Sequence, residues 1–149
     1  MVKKATVKYY QAIGRRKSSI ARVRFYIVGA QKEVMMQTIK MKQGEMYVNE
    51  KPIGEYFSGE VSKNLYMYPL RLVSAEDRFA VSIHVSGGGQ SGQLSAVVLG
   101  LSRCLEKVNE EYRPLLKKEG LLTRDARIKE RRKVGTGGKA RRKKQSPKR

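Results

Sequence analysis

The sequence predicts an α+β body, with a mixed β-sheet and helices on one face, followed by an extended basic tail. Three observations carry this. Short apolar runs with a two-residue alternation fill the first half of the chain. One strand–glycine loop–helix unit, Arg78 to Arg113, dominates the second half. Composition then shifts near Leu122 from mixed to strongly basic, which sets a globular body at residues 1–122 and a tail at 123–149.

Ala5 to Ala12 is rich in β-formers (Thr6, Val7, Tyr9, Tyr10) and reads as a strand that Gly14 breaks. Arg15, Arg16 and Lys17 make a basic corner. Ser18 to Val28 sets Val23, Phe25 and Ile27 on one face and Arg22, Arg24 and Tyr26 on the other, the half-buried strand pattern. Gly29-Ala30 reads as a turn and Val34 to Met41 as a returning strand. Met46 to Val48 is short and extended, Asn49-Glu50 turns the chain, and Pro52 opens a short helix through Phe57. Glu60 to Tyr68 leans towards helix and ends at Pro69. Leu70 to Val73 and Arg78 to Val85 read as strands around the turn Ser74 to Asp77.

Gly87 to Gly92 leads into the strongest helix. Leu94, Val97, Val98, Leu101, Leu105, Val108 and Tyr112 form one apolar stripe. Ala96 and Gly100, one turn apart, allow close backbone approach. Pro114 stops this helix, since it disfavours the α region at Arg113. A short helix follows from Leu115 to Glu119, with Gly120 as its cap.

The charge sets the partner class. The 149 residues carry a net charge of +20, with a pI near 10.3. Thr123 to Arg149 alone holds thirteen Lys or Arg against Asp125 and Glu130. Its clear apolar side chains are Ile128 and Val134, too few to offset the entropy of ordering. Such an arm is stabilised by a polyanion, where each cation meeting a phosphate releases counterions. Fully stretched, it reaches at most ~90 Å. No stretch approaches a membrane span, MVKKATVKYY lacks the apolar core of a signal peptide, and the tail has no amphipathic period. Nucleic acid, and not membrane, is the expected partner. The single cysteine fits a reducing compartment.

No cofactor or metal is expected. Gly87 to Gly92 is not a nucleotide P-loop, because Gln93 follows where Lys-Ser or Lys-Thr would stand. A helix start after glycines binds anions through free N–H groups, so this loop is a candidate phosphate contact, against the plainer reading of a tight turn. His84, the one histidine, alternates with the inward positions of its strand and faces out. Cys104 flanks the apolar stripe as a half-buried structural thiol. One Cys and one His make no zinc cluster. Glu106, Glu110 and Glu111 read as charges on the polar side of the long helix. Arg15, Arg16 and Lys17, beside Tyr9, Tyr10, Ser18 and Ser19, read as a patch for phosphates and 2′-hydroxyls.

The order of motifs resembles the small-subunit ribosomal protein S-nine family of bacterial type. The matching stretches are Gly14-Arg15-Arg16-Lys17-Ser18-Ser19 with Ala21-Arg22-Val23, Val48-Asn49 through Tyr56-Phe57, and Gly87-Gly88-Gly89-Gln90-Ser91-Gly92-Gln93. Thr123-Arg124-Asp125-Ala126-Arg127, Glu130 through Gly135, and Lys139-Ala140-Arg141-Arg142 complete the set.

The resemblance implies a fold like the second domain of ribosomal protein S-five, with a left-handed βαβ crossover. It implies a structural, non-enzymatic role on the cytoplasmic ribosome. The site would be the small-subunit head, on the 3′ major domain of 16S rRNA, beside neighbouring ribosomal proteins of the head. It further implies a tail that threads through rRNA towards the anticodon stem-loop of the P-site tRNA. Residue chemistry and resemblance together assign rRNA binding to Arg15, Arg16, Lys17, Arg22, Gly88, Gly89, Gln90 and Ser91 in the body. In the tail they assign it to Arg124, Arg127, Arg131, Arg132, Lys133, Lys139, Arg141 and Arg142. Carried over by position, the resemblance implies that Lys148 and Arg149 make the tRNA contact.

Two features depart from the family pattern. The chain ends Gln145-Ser146-Pro147-Lys148-Arg149, where relatives commonly end Gln-Phe-Ser-Lys-Arg, and Ala30 to Gln43 is longer than the usual hairpin. The first rival is a basic protein that coats DNA nonspecifically. The second is a nucleotide-using enzyme built on the glycine loop.

Overall fold

The computed structural model describes residues 8–27, 34–36 and 39–130. Strand β1 (Tyr9–Arg16) turns through Lys17-Ser18 into β2 (Ser19–Ile27), in a register that runs from Arg16 opposite Ser19 to Tyr9 opposite Tyr26. Two short strands follow, β3 (Val34–Met36) and β4 (Ile39–Met41), then β5 (Met46–Val48) and β6 (Lys51–Pro52). Helices α1 (Ile53–Tyr56) and α2 (Glu60–Leu72) lead to β7 (Phe79–Ser86), and α3 (Gln90–Val108) and α4 (Tyr112–Lys118) close the body.

The main sheet has the order β1-β2-β7-β5-β6. It is antiparallel except that β5 and β7 run parallel, joined through α1 and α2. The helices pack one face, around Val23, Phe25, Leu70, Val81, Ile83, Val97, Leu101 and Leu105. This is the expected mixed sheet with helices on one face, consistent with the fold of ribosomal protein S-five domain two.

Gly14 does not break the first strand. It lies inside β1, opposite Ala21. A Cβ there would sit 1.8 Å from the Ala96 carbonyl oxygen and 2.6 Å from the Gly100 amide nitrogen, both in α3. The glycine is therefore a contact surface, and the small pair Ala96 and Gly100 is its counterpart, as their spacing implied.

Four other expectations change. Val34 to Met41 does not return along β2, whose neighbours are β1 and β7. It splits into β3 and β4, which pair with each other from Val34–Met41 to Met36–Ile39. Met41 packs with Tyr26 and Ala80 on the face opposite the helices. Pro69 does not end its helix, and Leu70 to Val73 is no strand. Helix α2 runs through Pro69 to Leu72. Tyr66, Pro69, Leu70 and Val73 are all buried, a helical i, i+3, i+4, i+7 set. The proline lies inside the helix and cannot donate to the Leu65 carbonyl, and burial of the stripe outweighs that lost bond. Ser74 then takes φ 50°, and its N–H and that of Ala75 close on the Arg71 and Leu70 carbonyls.

Helix α3 stops at Val108, well before Pro114. Asn109 is extended, and its Oδ1 accepts the Glu111 N–H at 3.0 Å. That local bond competes with the next helical turn. Pro114 lies in the first turn of α4, where its missing N–H is not needed. Glu106 alone of the three acids is on α3, paired with Arg113. Glu110 and Glu111 lie in the connecting turn.

Candidate nucleic-acid interface

The β1–β2 turn and the glycine loop form one corner. Because β2 pairs with β7, with Ile20 opposite Ser86, the loop after β7 emerges beside the Lys17-Ser18 turn. Gly87 and Gly88 take φ 71° and 65°. A Cβ on Gly87 would lie 2.6 Å from the Ser18 carbonyl oxygen, and one on Gly88 would lie 2.0 Å from Ser19 Oγ. Both positions need glycine for backbone conformation and for space.

Gly89 is the N-cap of α3, with no side-chain cap and no acid in the first turn. The first amides of a helix lack intrahelical partners, and the dipole makes that end positive. Gln90 and Ser91 are exposed there. Gln93 braces the loop: its Nε2 donates to the Gly87 carbonyl at 3.0 Å, and its Oε1 accepts from Tyr56 Oη at 3.0 Å. Sequence reasoning gives Gln93 no bracing role: it stands there as the residue that spoils a P-loop and as the end of a family motif. Its signal was a long polar side chain one turn inside a glycine-led helix. Ser19 Oγ is buried under Gly88 and is the one buried side-chain polar atom without a partner among the described residues.

The tail root joins the same corner. Arg16 Nη1 donates to the Arg127 carbonyl at 2.7 Å and the Asp125 carbonyl at 3.4 Å. Its Nη2 pairs with Asp125 Oδ2 at 2.9 Å. Arg127 closes the clasp, with Nη2 at 2.7 Å from Asp125 Oδ2 and its own N–H on Asp125 Oδ1 at 2.9 Å. The Arg127 side chain, then its backbone N–H, hold the Asp125 carboxyl below the usual carboxylate range, and Asp125 in turn raises the Arg127 guanidinium.

The basic run of the first turn is thus divided three ways. Lys17 is exposed at the tip with φ 51°. Arg16 is committed to the tail root. Arg15 lies on the sheet face away from the helices, where Arg22 also lies, so the structure does not bring those two to the glycine loop. Arg124 is exposed at the root. Arg131, Arg132, Lys133, Lys139, Arg141, Arg142, Lys148 and Arg149 lie outside the described residues.

Other chemistry is thin. Cys104 is fully buried, more so than expected, with Sγ 3.4 Å from the Tyr10 carbonyl, and burial pushes its thiol up to about 12. His84 is exposed on the opposite sheet face, so the two cannot form a dyad. Among the described residues no group of three or more His, Cys, Asp or Glu is placed to hold a metal, and no helix is long and apolar enough to cross a membrane.

Comparison with known proteins adds the family. A family model described as Ribosomal protein S9/S16 matches residues 14–149. Two relatives called small ribosomal subunit protein uS9, from Anaeromyxobacter sp. (strain K) and Anaeromyxobacter dehalogenans (strain 2CP-1), are each 42% identical over 126 residues. The alignments cover 85% of this chain and 86% of each relative.

Proposed function

The chain belongs to the ribosomal protein S9/S16 family, structural constituents of the small ribosomal subunit, and from that premise we propose how it engages RNA. The family is structural rather than enzymatic, and its partners are ribosomal RNA and other ribosomal proteins. The body, residues 1–122, docks on the 3′ major domain of 16S rRNA by shape and backbone contacts. Lys17 and the start of α3 at Gly88, Gly89, Gln90 and Ser91 take phosphates. Arg15 and Arg22 meet RNA from the outer sheet face.

Arg16 and Arg127 hold the root of the tail, so residues 123–149 leave the body from the phosphate-binding corner. The tail cations, from Arg124 to Arg142, neutralise closely spaced phosphates so that rRNA helices can pack. Lys148 and Arg149 donate to phosphates of the P-site tRNA anticodon stem-loop and steady it without reading sequence.

The observation that carries this reading is the corner itself, where the glycine loop packs on the Ser18-Ser19 turn and the Arg16 clasp holds the tail root beside it. A protein that merely coats DNA needs no such arrangement. Sedimentation of tagged protein through a sucrose gradient after a high-salt wash tests it. Retention in the small-subunit peak is expected. Release into the light fractions, with random nucleic acid bound equally well, would overturn it. Deletion of Lys148-Arg149 is expected to weaken P-site tRNA affinity modestly and to leave assembly intact. Strong loss of assembly would refute a role specific to the tip.

A further inference from the structure

The sheet face away from the helices carries a second, differently built surface. Strands β1, β2 and β7 contain no acidic residue. Their registers set Arg15, Ile20 and Ser86 in one outward row; Ile13, Arg22 and His84 in the next; and Gln11, Arg24 and Ser82 in the third. Tyr47 of β5 extends the third row across a fourth strand.

Arg24 is already organised. Its Nε donates to Gln11 Oε1 at 3.0 Å, and its guanidinium carbon stands 5.3 Å from the centre of the Tyr9 ring. Tyr9 is 49% exposed, and Ile13 and Ile20 are also open to solvent. Along the β4 side, Ile39 and Met41 wall off a cavity of about 240 Å³ floored by Ser82 and His84 and flanked by Tyr47. Glu50 also lines it, an acceptor suited to a base amino group.

We propose that this face binds an unpaired RNA segment, with one base in the Tyr47–His84 cavity, its backbone over Arg22 and Arg24, and a further base stacked on Tyr9. The inference rests on the ribosomal reading and deepens it. An A-form duplex keeps its bases stacked inside and offers phosphates and 2′-hydroxyls, so it places no base in that cavity and none against the half-exposed Tyr9 ring. Unpaired nucleotides use both, through stacking that tolerates any base and cations that follow the backbone. The cations of the face are complementary to that backbone. The separation of Arg22 from the glycine loop, on the opposite side of the sheet, makes this a site distinct from the corner.

The test uses the full chain and two probes: a labelled, unpaired oligoadenylate of about ten nucleotides and an RNA duplex with the same number of phosphates. Tyr9→Leu is expected to weaken oligoadenylate binding on the order of ten-fold, leave the salt dependence of that binding unchanged, and leave duplex binding unchanged. Arg22→Gln with Arg24→Gln is expected to lower the salt slope for the single strand by about 0.7 per arginine. Ultraviolet cross-linking of the wild-type chain to a 3′ major-domain transcript is expected to label peptides holding Tyr9 or Tyr47, a readout that needs no variant.

No effect of Tyr9→Leu, with the arginine variant losing both probes equally, would overturn the proposal in favour of plain charge attraction. Cross-links from this face to a protein in assembled subunits, and none to RNA, would overturn it in favour of a protein partner. Failure of the wild-type chain to select the transcript over random RNA is a different result, and would sink the ribosomal reading beneath it.

Discussion

Replacing Gly14 by alanine should be among the most damaging single-methyl additions in the body. The new Cβ would lie 1.8 Å from the Ala96 carbonyl oxygen and 2.6 Å from the Gly100 amide nitrogen. Both are helix backbone, so no side chain can rotate away. To reach an ordinary contact of 3.4 Å from 1.8 Å, β1 and α3 must part by about 1.6 Å. Neither element is free to yield. Gly14 is held in the ladder opposite Ala21, and Ala96, Val97 and Leu101 are fully buried beneath the sheet. A gap of even 0.5–1 Å forfeits roughly a quarter to a half of the dispersion well for each lining atom.

The expected loss is about 3 kcal/mol, the upper end for overpacking. For a body of this size that lowers Tm by roughly 10 °C. Paired thermal and urea melts followed by circular dichroism measure it. Gly100→Ala is the internal control. Its Cβ would meet Val23 Cγ2 at 2.6 Å, a side-chain atom that can shift, so about 1–2 kcal/mol is expected. A Gly14→Ala loss under about 1 kcal/mol, or one smaller than that of Gly100→Ala, would refute the claim that backbone approach sets this interface.

Arg16→Ala should free the tail root, so that trypsin cleaves after Arg124 and Arg127 several-fold faster while the melt of the body barely moves. Arg16→Lys should restore only part of the protection, because an ammonium lacks the fork that spans two carbonyls and a carboxylate; equal cleavage in all three proteins would count against the clasp. Because the Asp125 carboxyl is depressed, its contribution is present above its unfolded value and is lost only as pH falls through the folded one. Protection of the root should therefore persist from neutral pH down through the ordinary carboxylate range, and its loss by pH 5 would contradict the assignment.

The Cys104 thiol, raised to about 12 by burial, should stay unreactive towards thiol reagents at pH 8 in the folded chain and react promptly once unfolded. Its share of stability is full below the unfolded value and drains as pH rises through the folded one, so the alkaline side of the stability profile should flatten in Cys104→Ala. Asn49→Ala removes the side-chain bonds to the Val85 carbonyl and N–H at 3.0 and 2.9 Å, and should cost about 2 kcal/mol in a urea melt. An unchanged midpoint would show that water replaces them.

Elements whose evidence is local were legible in the chain. The alternation of β7, that of β2 up to Phe25, the apolar stripe of α3 up to Val108 and the Asn49-Glu50 turn are legible in the chain, with Asn49 and Glu50 at φ 46° and 69°; at the end of β2 the pattern reverses, with Tyr26 buried and Ile27 exposed, and Tyr112 belongs to α4. Gly14, Pro69 and Pro114 were misread for one reason. Each is a local breaker by residue type, yet what each does depends on its neighbours in space. Gly14 meets α3, Pro69 is buried in a stripe against the helical core, and Pro114 falls inside the first turn of a new helix. For Pro69 a signal was present, since Tyr66, Leu70 and Val73 continue a helical period across it.

The candidate site divides along the same line. Residue types and their order marked the basic turn, the glycine loop and the tail. They could not show that Arg16 and Arg15, adjacent in the chain, go to different tasks on opposite faces of a sheet. Strand geometry alternates side chains by face, but which face meets helices is settled only by packing.

The sequence by itself determined the charge of +20, the division into an apolar-bearing first part and a basic end, and the family motifs. These follow from side-chain chemistry summed along the chain and need no contacts. Only the tertiary structure decided that β2 pairs with β7. That pairing brings the glycine loop onto the Lys17-Ser18 turn, where Arg16 clasps a tail root more than a hundred residues away. The physical reason is that such a bond depends on the closeness of two backbones. Folding of the whole body supplies that closeness, and no stretch of either segment encodes it alone.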